Sequence, residues 1–366
     1  MTKQRVAVVF GGRSSEHAIS VATAGGVLGA IDRERFDVVP VGITASGRFV
    51  LQSDDAERFQ LVDGRLPELA PSDTTVIWPS GTEDHHLRAI AHDGTVTDLG
   101  EIDVVLPLLH GPFGEDGTIQ GLLAMADLPY VGSGVLASAV GTDKEYTKIV
   151  LEAAGIDVGR YVTVRPDEFR VAPAEVHGRA AGLGLPLFVK PARAGSSVGV
   201  SKVTSDTELD AALEIAFAED DKALIEAGVT GREIELGVLG SLHGSGTRVS
   251  AVAGEIVVSG EGFYDFEAKY LADSPARTVC PADVTDAELA ELRRVAKAAF
   301  EALDCHGLCR VDVFLTSDGV VVNEVNTIPG FTPISMFPQL WHASGLDYGD
   351  LITDLIDQAL EHEPLR

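Results

Sequence analysis

The stretch Cys309-Arg310-Val311-Asp312-Val313-Phe314-Leu315-Thr316-Ser317-Asp318-Gly319-Val320-Val321-Val322-Asn323-Glu324-Val325-Asn326 decides how this chain is read. Two apolar, β-branched runs flank Asp318-Gly319, a strong hairpin signal. Side chains alternate faces along a strand, so Arg310 and Asp312 share one face, as do Glu324 and Asn326. If the hairpin pairs both sets on the same face, two carboxylates, an amide oxygen and a guanidinium converge. Such a cluster repels itself until Mg²⁺ and phosphate are added. It then offers hard oxygen ligands for the metal and a fixed cation for developing negative charge. The plain alternative is a solvated hairpin face, but Val, Phe and Leu crowd these strands and mark them as buried.

Working outward, strand and helix signals alternate in the first third of the chain. Arg5–Phe10 and Phe36–Ile43 read as strands and Ser14–Ala30 as a helix. Val104–Leu109 is an apolar strand that runs into His110-Gly111-Pro112-Phe113-Gly114-Glu115-Asp116-Gly117. In open α/β sheets ligands sit at the carboxyl ends of strands, where this loop falls. Thr118–Met125 predicts a helix and Tyr130-Val131 a short strand, giving an α/β unit with a mainly parallel sheet. Residues 45 to 100 are mixed and polar and show no clear order.

Further on, Leu187–Lys190 reads as a strand and Pro191-Ala192-Arg193-Ala194-Gly195-Ser196-Ser197 as a loop, with extended structure resuming at Val198–Val203. Its glycine and serines supply little bulk and several donors, which suits a cover over phosphates. A mobile surface hairpin is the bland reading. Helices are expected at Asp143–Ala154, Leu209–Ala218, Asp286–Leu303 and Tyr348–Glu363, and strands at Ala223–Glu226, Arg232–Gly240 and Thr247–Val258. Lys144, Lys190 and Lys269 sit beside apolar strands and glycines rather than in polar runs.

Bulk properties limit the function. The chain has 366 residues, room for two or three domains, and a formal net charge of −28. That acidity argues against general binding to nucleic acid or anionic membrane. No segment has the length of a membrane span, and Val6–Phe10 is too short for a signal-peptide core. Three cysteines, Cys280, Cys305 and Cys309, suggest a reduced compartment, and the cytoplasm is expected. Cys305-His306-Gly307-Leu308-Cys309 lacks a fourth zinc ligand nearby, so buried thiols are the better reading. His85-His86 falls in a polar stretch and is expected to be exposed. Gly132-Ser133-Gly134-Val135-Leu136-Ala137 nominally fits a dinucleotide fingerprint but lacks the acidic-ended second strand. An NAD-dependent oxidoreductase and a non-catalytic nucleotide sensor remain the competing classes.

Taken together, Gly11–Glu16, Leu109–Gly117, Val131–Gly134, Lys190–Gly199, Phe263–Tyr270 and Arg310–Ser335 resemble, in order and spacing, the D-alanine–D-alanine ligases. The resemblance covers essentially the whole chain. It implies an α/β and α+β protein: a three-domain ATP-grasp fold with an N-terminal parallel-sheet (pre-ATP-grasp) domain. The domains would be 1–138, 139–226 and 227–366, with 45–100 as an insertion. The implied activity is ATP-dependent ligation of two D-alanines through an acyl phosphate, for peptidoglycan precursor synthesis.

The resemblance also implies roles. Asp312, Glu324 and Asn326 would hold Mg²⁺, two ions being expected and Mn²⁺ able to substitute. Lys144, Lys190 and Lys269 would contact phosphates under Ser196 and Ser197, while Glu226, Val229 and Glu233 would meet adenine and ribose. Ala227-Gly228 departs there from the bulkier or charged residues of the family. Glu16, linked to Ser196 and Tyr270, would take the first substrate's ammonium, with His110 nearby. Arg310 and the Gly330 N–H would form an oxyanion site, Ser335 would meet the second substrate's carboxylate, and Phe263–Tyr270 would be the lid. Relatives that make an ester with D-lactate depart at the lid tyrosine, so Tyr270 favours an amine acceptor. D-serine stays open as that acceptor. A homodimer is expected by analogy with the family.

Overall fold

The computed structural model describes residues 3–60, 66–258 and 276–361. Its first sheet has the order Phe49–Leu51, Phe36–Ile43, Gln4–Gly11, Val104–Pro107. The last three are parallel, and Phe49–Leu51 joins antiparallel at the edge. Gln4–Gly11 is buried on both faces. Val6, Val8 and Phe10 point to one side with helices His17–Ala30 and Tyr348–Glu361, while Ala7 and Val9 meet helix Thr118–Met125 on the other. Burial on both faces is why the strand reads as a continuous apolar run.

Helix His17–Ala30 is rich in small residues, and Gly25 and Gly26 explain why. A side chain on Gly25 would lie 2.7 Å from the Phe59 carbonyl, and one on Gly26 2.8 Å from the Pro333 ring. The helix is gripped from two sides, and only glycine permits so close an approach. The stretch from 45 to 100, unordered by pattern, carries its own antiparallel sheet: Thr75–Ile77, His86–Ile90, Val96–Glu101. His86 opens the middle strand with Nδ1 2.9 Å from Asp98, and both His85 and His86 are half-buried rather than exposed.

A second sheet, Ser201–Val203, Leu187–Pro191, Ala223–Ala227, Tyr161–Val164, is antiparallel at every pairing. The third contains Ala276–Val279, Gly254–Val258, Arg232–Leu239, Leu308–Thr316 and Gly319–Asn326 in that order, with Arg248–Val249 pairing off Arg232–Leu239. The single strand expected over Thr247–Val258 is thus two, broken where Ser250 donates its hydroxyl to the Val252 carbonyl at 2.7 Å. Extended structure expected at Val198 begins only at Ser201, because Ser196, Ser197 and Gly199 all take positive φ. Helix Asp286–Ala302 starts on a Thr285/Glu288 capping box and lays Leu292, Val295 and Ala299 on the third sheet. Cys305 and Cys309 are buried free thiols in that core region.

The last helix, Tyr348–Glu361, crosses back onto the first sheet: Leu351, Leu355 and Ile356 share a core with Val6 and Phe10. No helix among the described residues is long and apolar enough to cross a membrane.

Candidate functional site

The hairpin brings its polar groups together, though not by alternation alone. Arg310 pairs with Asn326 and Asp312 with Glu324. The two-residue turn is Ser317-Asp318, since Thr316 already pairs with Gly319. A bulge beyond the Val313–Val322 pair skips Asn323 and sets Asp312 opposite Glu324. Without it, Val322 and Val325 would face opposite ways; with it, both are buried in the core. The displaced Asn323 and Glu324 line the cavity side. Strict alternation assigns Asn323 to the wrong face, so the sequence reading missed it.

Arg310 donates from Nε and Nη2 to the two oxygens of Asp312, both at 2.7 Å, and Asn326 adds a donor to Oδ2 at 2.9 Å. On the other side Glu235 Oε2 stands 3.3 Å from Arg310 Nε. Glu235 is paired in register with Asp312 across the neighbouring strand. Burial alone would depress Arg310, but Asp312 and Glu235 hold it well above the ordinary guanidinium value. Burial pushes Asp312 up, against the pull of Arg310, to about 7.

Two adjoining cavities meet on this hairpin. The larger, about 270 Å³, runs between the second and third sheets. Lys144, Lys190, Ser196, Ser197, Glu226, Val229, Glu233, Arg310, Asp312 and Glu324 line it. Lys190 reaches Glu226 Oε2 at 2.7 Å, and Lys148 stands 3.1 Å from Oε1. Burial raises Glu226, but the two lysines outweigh it and its carboxyl lies below the usual range. Lys148 was not expected from sequence, although its spacing of four from Lys144 puts both on one helix face. Lys144 donates to the Ala194 carbonyl at 2.7 Å, and burial pushes its pKa down.

Those lysines are fixed by a buried cluster that the sequence reading also missed. Asp143 caps helix Lys144–Ala153 by accepting from the N–H groups of Glu145 and Tyr146. Lys222, 2% exposed, donates to both Asp143 oxygens at 2.6 Å and to Glu145 at 2.7 Å. The Lys222 carbonyl accepts from Ala192 N–H at 2.9 Å, and the Ala192 carbonyl from Lys144 N–H at 3.0 Å. The start of the lysine helix is therefore tied to the strand that leads into the Gly-Ser loop.

The smaller cavity, about 130 Å³, is lined by Glu16, His110, Glu115, Ser196, Arg310, Asn326 and Gly330. Ser196 donates its hydroxyl to Glu16 Oε1 at 2.6 Å. Burial holds His110 below the usual imidazole value, partly opposed by Glu16. Burial and Glu16 together push Glu115 up to about 8. Ser335 is not among the residues lining either cavity; its hydroxyl accepts from Thr332 N–H at 3.1 Å at the start of helix Met336–Ala343. Lys269, Tyr270 and the rest of the expected lid lie outside the described residues.

The donor set can be weighed for a divalent cation. Asp312, Glu324 and Asn326 are hard oxygen donors on one face, which suits Mg²⁺. Among the described residues, no three His, Cys, Asp or Glu side chains form a ready-made cage. The donors fit a cation that nucleotide phosphates help to hold.

Known proteins give the family. The family model described as D-ala D-ala ligase N-terminus matches residues 5–133, and that for the C-terminus matches 150–357. A D-alanine–D-alanine ligase of Pseudarthrobacter chlorophenolicus is 53% identical over 366 residues, covering 99% of this chain and 95% of that protein. One of Kineococcus radiotolerans is 51% identical, covering 98% and 97%. Among solved structures, the VanG D-Ala:D-Ser ligase of Enterococcus faecalis superposes with a TM-score of 0.83 at 34% identity, covering 98% of this chain and 100% of that one. The D-alanine-D-alanine ligase of Coxiella burnetii gives 0.81 at 33%, covering 99% and 95%. The mixed α/β architecture is the three-domain ATP-grasp fold, and this chain belongs to the D-alanine–D-alanine ligase family.

Proposed function

We propose that the protein joins two molecules of D-alanine into D-alanyl-D-alanine with ATP, releasing ADP and phosphate, for peptidoglycan precursors. One observation carries the reading. The Arg310–Asp312–Glu324 face of the hairpin lies where two cavities meet, with lysines in one and Glu16–Ser196 in the other.

In this reading the larger cavity takes ATP. Lys144 and Lys190, with Lys269, contact phosphates beneath Ser196 and Ser197, while Glu226, Val229 and Glu233 meet adenine and ribose. Glu226 is lysine-paired and ionised, so it accepts hydrogen bonds and selects a donor such as an exocyclic amine. Asp312, Glu324 and Asn326 would hold Mg²⁺, as two ions or with Mn²⁺ in its place. When bound, the ion supplies charge neutralisation on the phosphates and orients them for transfer.

The smaller cavity takes the first D-alanine, its ammonium on Glu16 beside His110. Its carboxylate attacks the γ-phosphorus, the bond to ADP breaks, and an acyl phosphate forms. The amine of the second D-alanine, having lost a proton, attacks the acyl carbon, and the tetrahedral intermediate expels phosphate. Arg310 and the Gly330 N–H face the developing oxyanion, a charge that preorganised donors stabilise without reorganising. Ser335, near the second carboxylate, and Tyr270 in the lid complete the reading. Water must be excluded while the acyl phosphate lasts. Domains at 1–138, 139–226 and 227–366, a cytoplasmic location and a homodimer belong to the same reading.

The likeness to a D-Ala:D-Ser ligase favours D-serine as a second acceptor to test. The experiment is phosphate release from ATP and Mg²⁺ with D-alanine alone, then with D-serine or D-lactate added, products identified by mass. Dipeptide in step with phosphate from D-alanine alone supports the proposal. Product only from a mixed pair would change the acceptor, and no turnover with any pair would overturn the activity.

A further inference from the structure

The loop after Val104–Pro107 carries a residue with no part in the reaction as described. Glu115 is half-buried and lines the smaller cavity. Its Oε2 accepts the Gly111 N–H at 2.6 Å, and its carbonyl accepts the Thr142 hydroxyl at 2.8 Å. A side chain on Gly111 would lie 3.5 Å from Glu16 Oε2. Two carboxylates, 99 positions apart in sequence, thus converge on one glycine and line one cavity.

The charges around Glu115 come from several elements. Glu16 and Glu324 repel it; Lys144 and the Gly111 N–H favour its ionised form. Arg310 and Arg193 also line the cavity, but Arg310 is held by Asp312 and Arg193 by Asp220 and Asp221. His110 is buried and held below its usual pKa. Lys144 is spent on the Ala194 carbonyl. Two carboxylates sharing a site do not both ionise readily, and one keeps a proton. Burial and Glu16 put Glu115 in that position, at about 8.

We infer that Glu115 is a second carboxylate of the pocket for the first D-alanine's ammonium, sharing that charge with Glu16 and losing its own proton as the substrate binds. The inference rests on the ligase reading, which makes an amino acid the occupant. An ammonium has three N–H donors, more than one carboxylate oxygen satisfies. The step balances simply. The Glu115 O–H bond breaks, the proton passes to solvent, the carboxylate accepts an N–H from the ammonium, and no bond in the amino acid changes.

The test is titration calorimetry of D-alanine at pH 7 with Mg²⁺ and a non-hydrolysable ATP analogue, repeated in buffers of different ionisation enthalpy. Wild type is expected to release between roughly half and one proton per first-site D-alanine. Glu115→Gln, which still accepts from Gly111 N–H, is expected to release none and to bind about 10-fold more weakly. Glu115→Asp keeps a titratable carboxyl and is expected to keep the release, which covers the case of a Gln variant that does not fold. Binding without release in wild type, or undiminished release in Glu115→Gln, overturns the inference alone. If wild type binds no D-alanine, the ligase reading falls and the inference with it.

Discussion

Ser196, on the Gly-Ser loop, donates its hydroxyl to the Glu16 carboxylate at 2.6 Å. The contact joins residues 180 positions apart, one from the N-terminal segment and one from the loop beside the lysine-lined cavity. It couples the pocket proposed for the first amino acid to the cover proposed for the phosphates. Ser196→Ala removes the donor while leaving the loop backbone intact. A hydrogen bond to a charged group contributes about 1.5–3 kcal/mol, so kcat/KM for D-alanine is expected to fall roughly 10- to 100-fold. A fall in ATP affinity alone would contradict this coupling.

Arg310 is bidentate on Asp312, a geometry lysine does not reproduce. Arg310→Lys is expected to lower kcat by about 10²- to 10³-fold, as loss of an oxyanion donor does. Steady-state rates with ATP and D-alanine saturating provide the check. Unchanged turnover would remove Arg310 from the transition state.

Lys222 holds Asp143 and Glu145 while 2% exposed. Lys222→Met strips the buried Asp143 carboxylate of its cation, and breaking such a pair costs about 3–5 kcal/mol. Urea unfolding should show that loss, and Lys222→Met combined with Asp143→Asn should recover part of it. Since the pair anchors Lys144, KM for ATP should rise more than KM for D-alanine.

Gly307 has φ +66°, and a side chain there would lie 2.7 Å from the Gly132 nitrogen. The clash is with backbone, which cannot swing aside. Gly307→Ala is expected to cost about 1–3 kcal/mol, read as a lower Tm, with KM values unchanged.

Glu115 at about 8 sits above its ordinary value of 4.5. The folded state therefore binds more protons than the unfolded one between these values, and stability falls as pH rises through that window. Its contribution is fully present below the unfolded pKa and is lost as pH passes the folded one. Unliganded wild type should lose up to about 1.4 kcal/mol per pH unit from this group, while Glu115→Gln removes that component. Urea midpoints from pH 5 to 8 measure the difference.

The sequence by itself determined the hairpin and the shared face of Arg310 and Asp312, because these depend on local periodicity. Arg310 and Asp312, two apart on a strand, must share a face, but the register set by the turn would put Asp312 opposite Asn323, and only the bulge sets them opposite Asn326 and Glu324. The alternation of Val6, Val8 and Phe10 with Ala7 and Val9 likewise announced a two-faced strand. The tertiary structure decided what local patterns do not encode. The bulge that brings Asn323 to the cavity depends on both strands of the hairpin being packed against the core. The pairings of Lys222 with Asp143 and Glu235 with Arg310, and the placing of Glu115 and Glu16 around one cavity, join segments far apart in sequence. The order within the 45–100 stretch was hidden because its strands are short and polar on one side. Only packing gives it form, as where Phe59 meets Phe10 edge-on at 5.1 Å. Charged residues reveal their type in sequence, but which of them are desolvated and which partner holds them is fixed only when the chain closes around them.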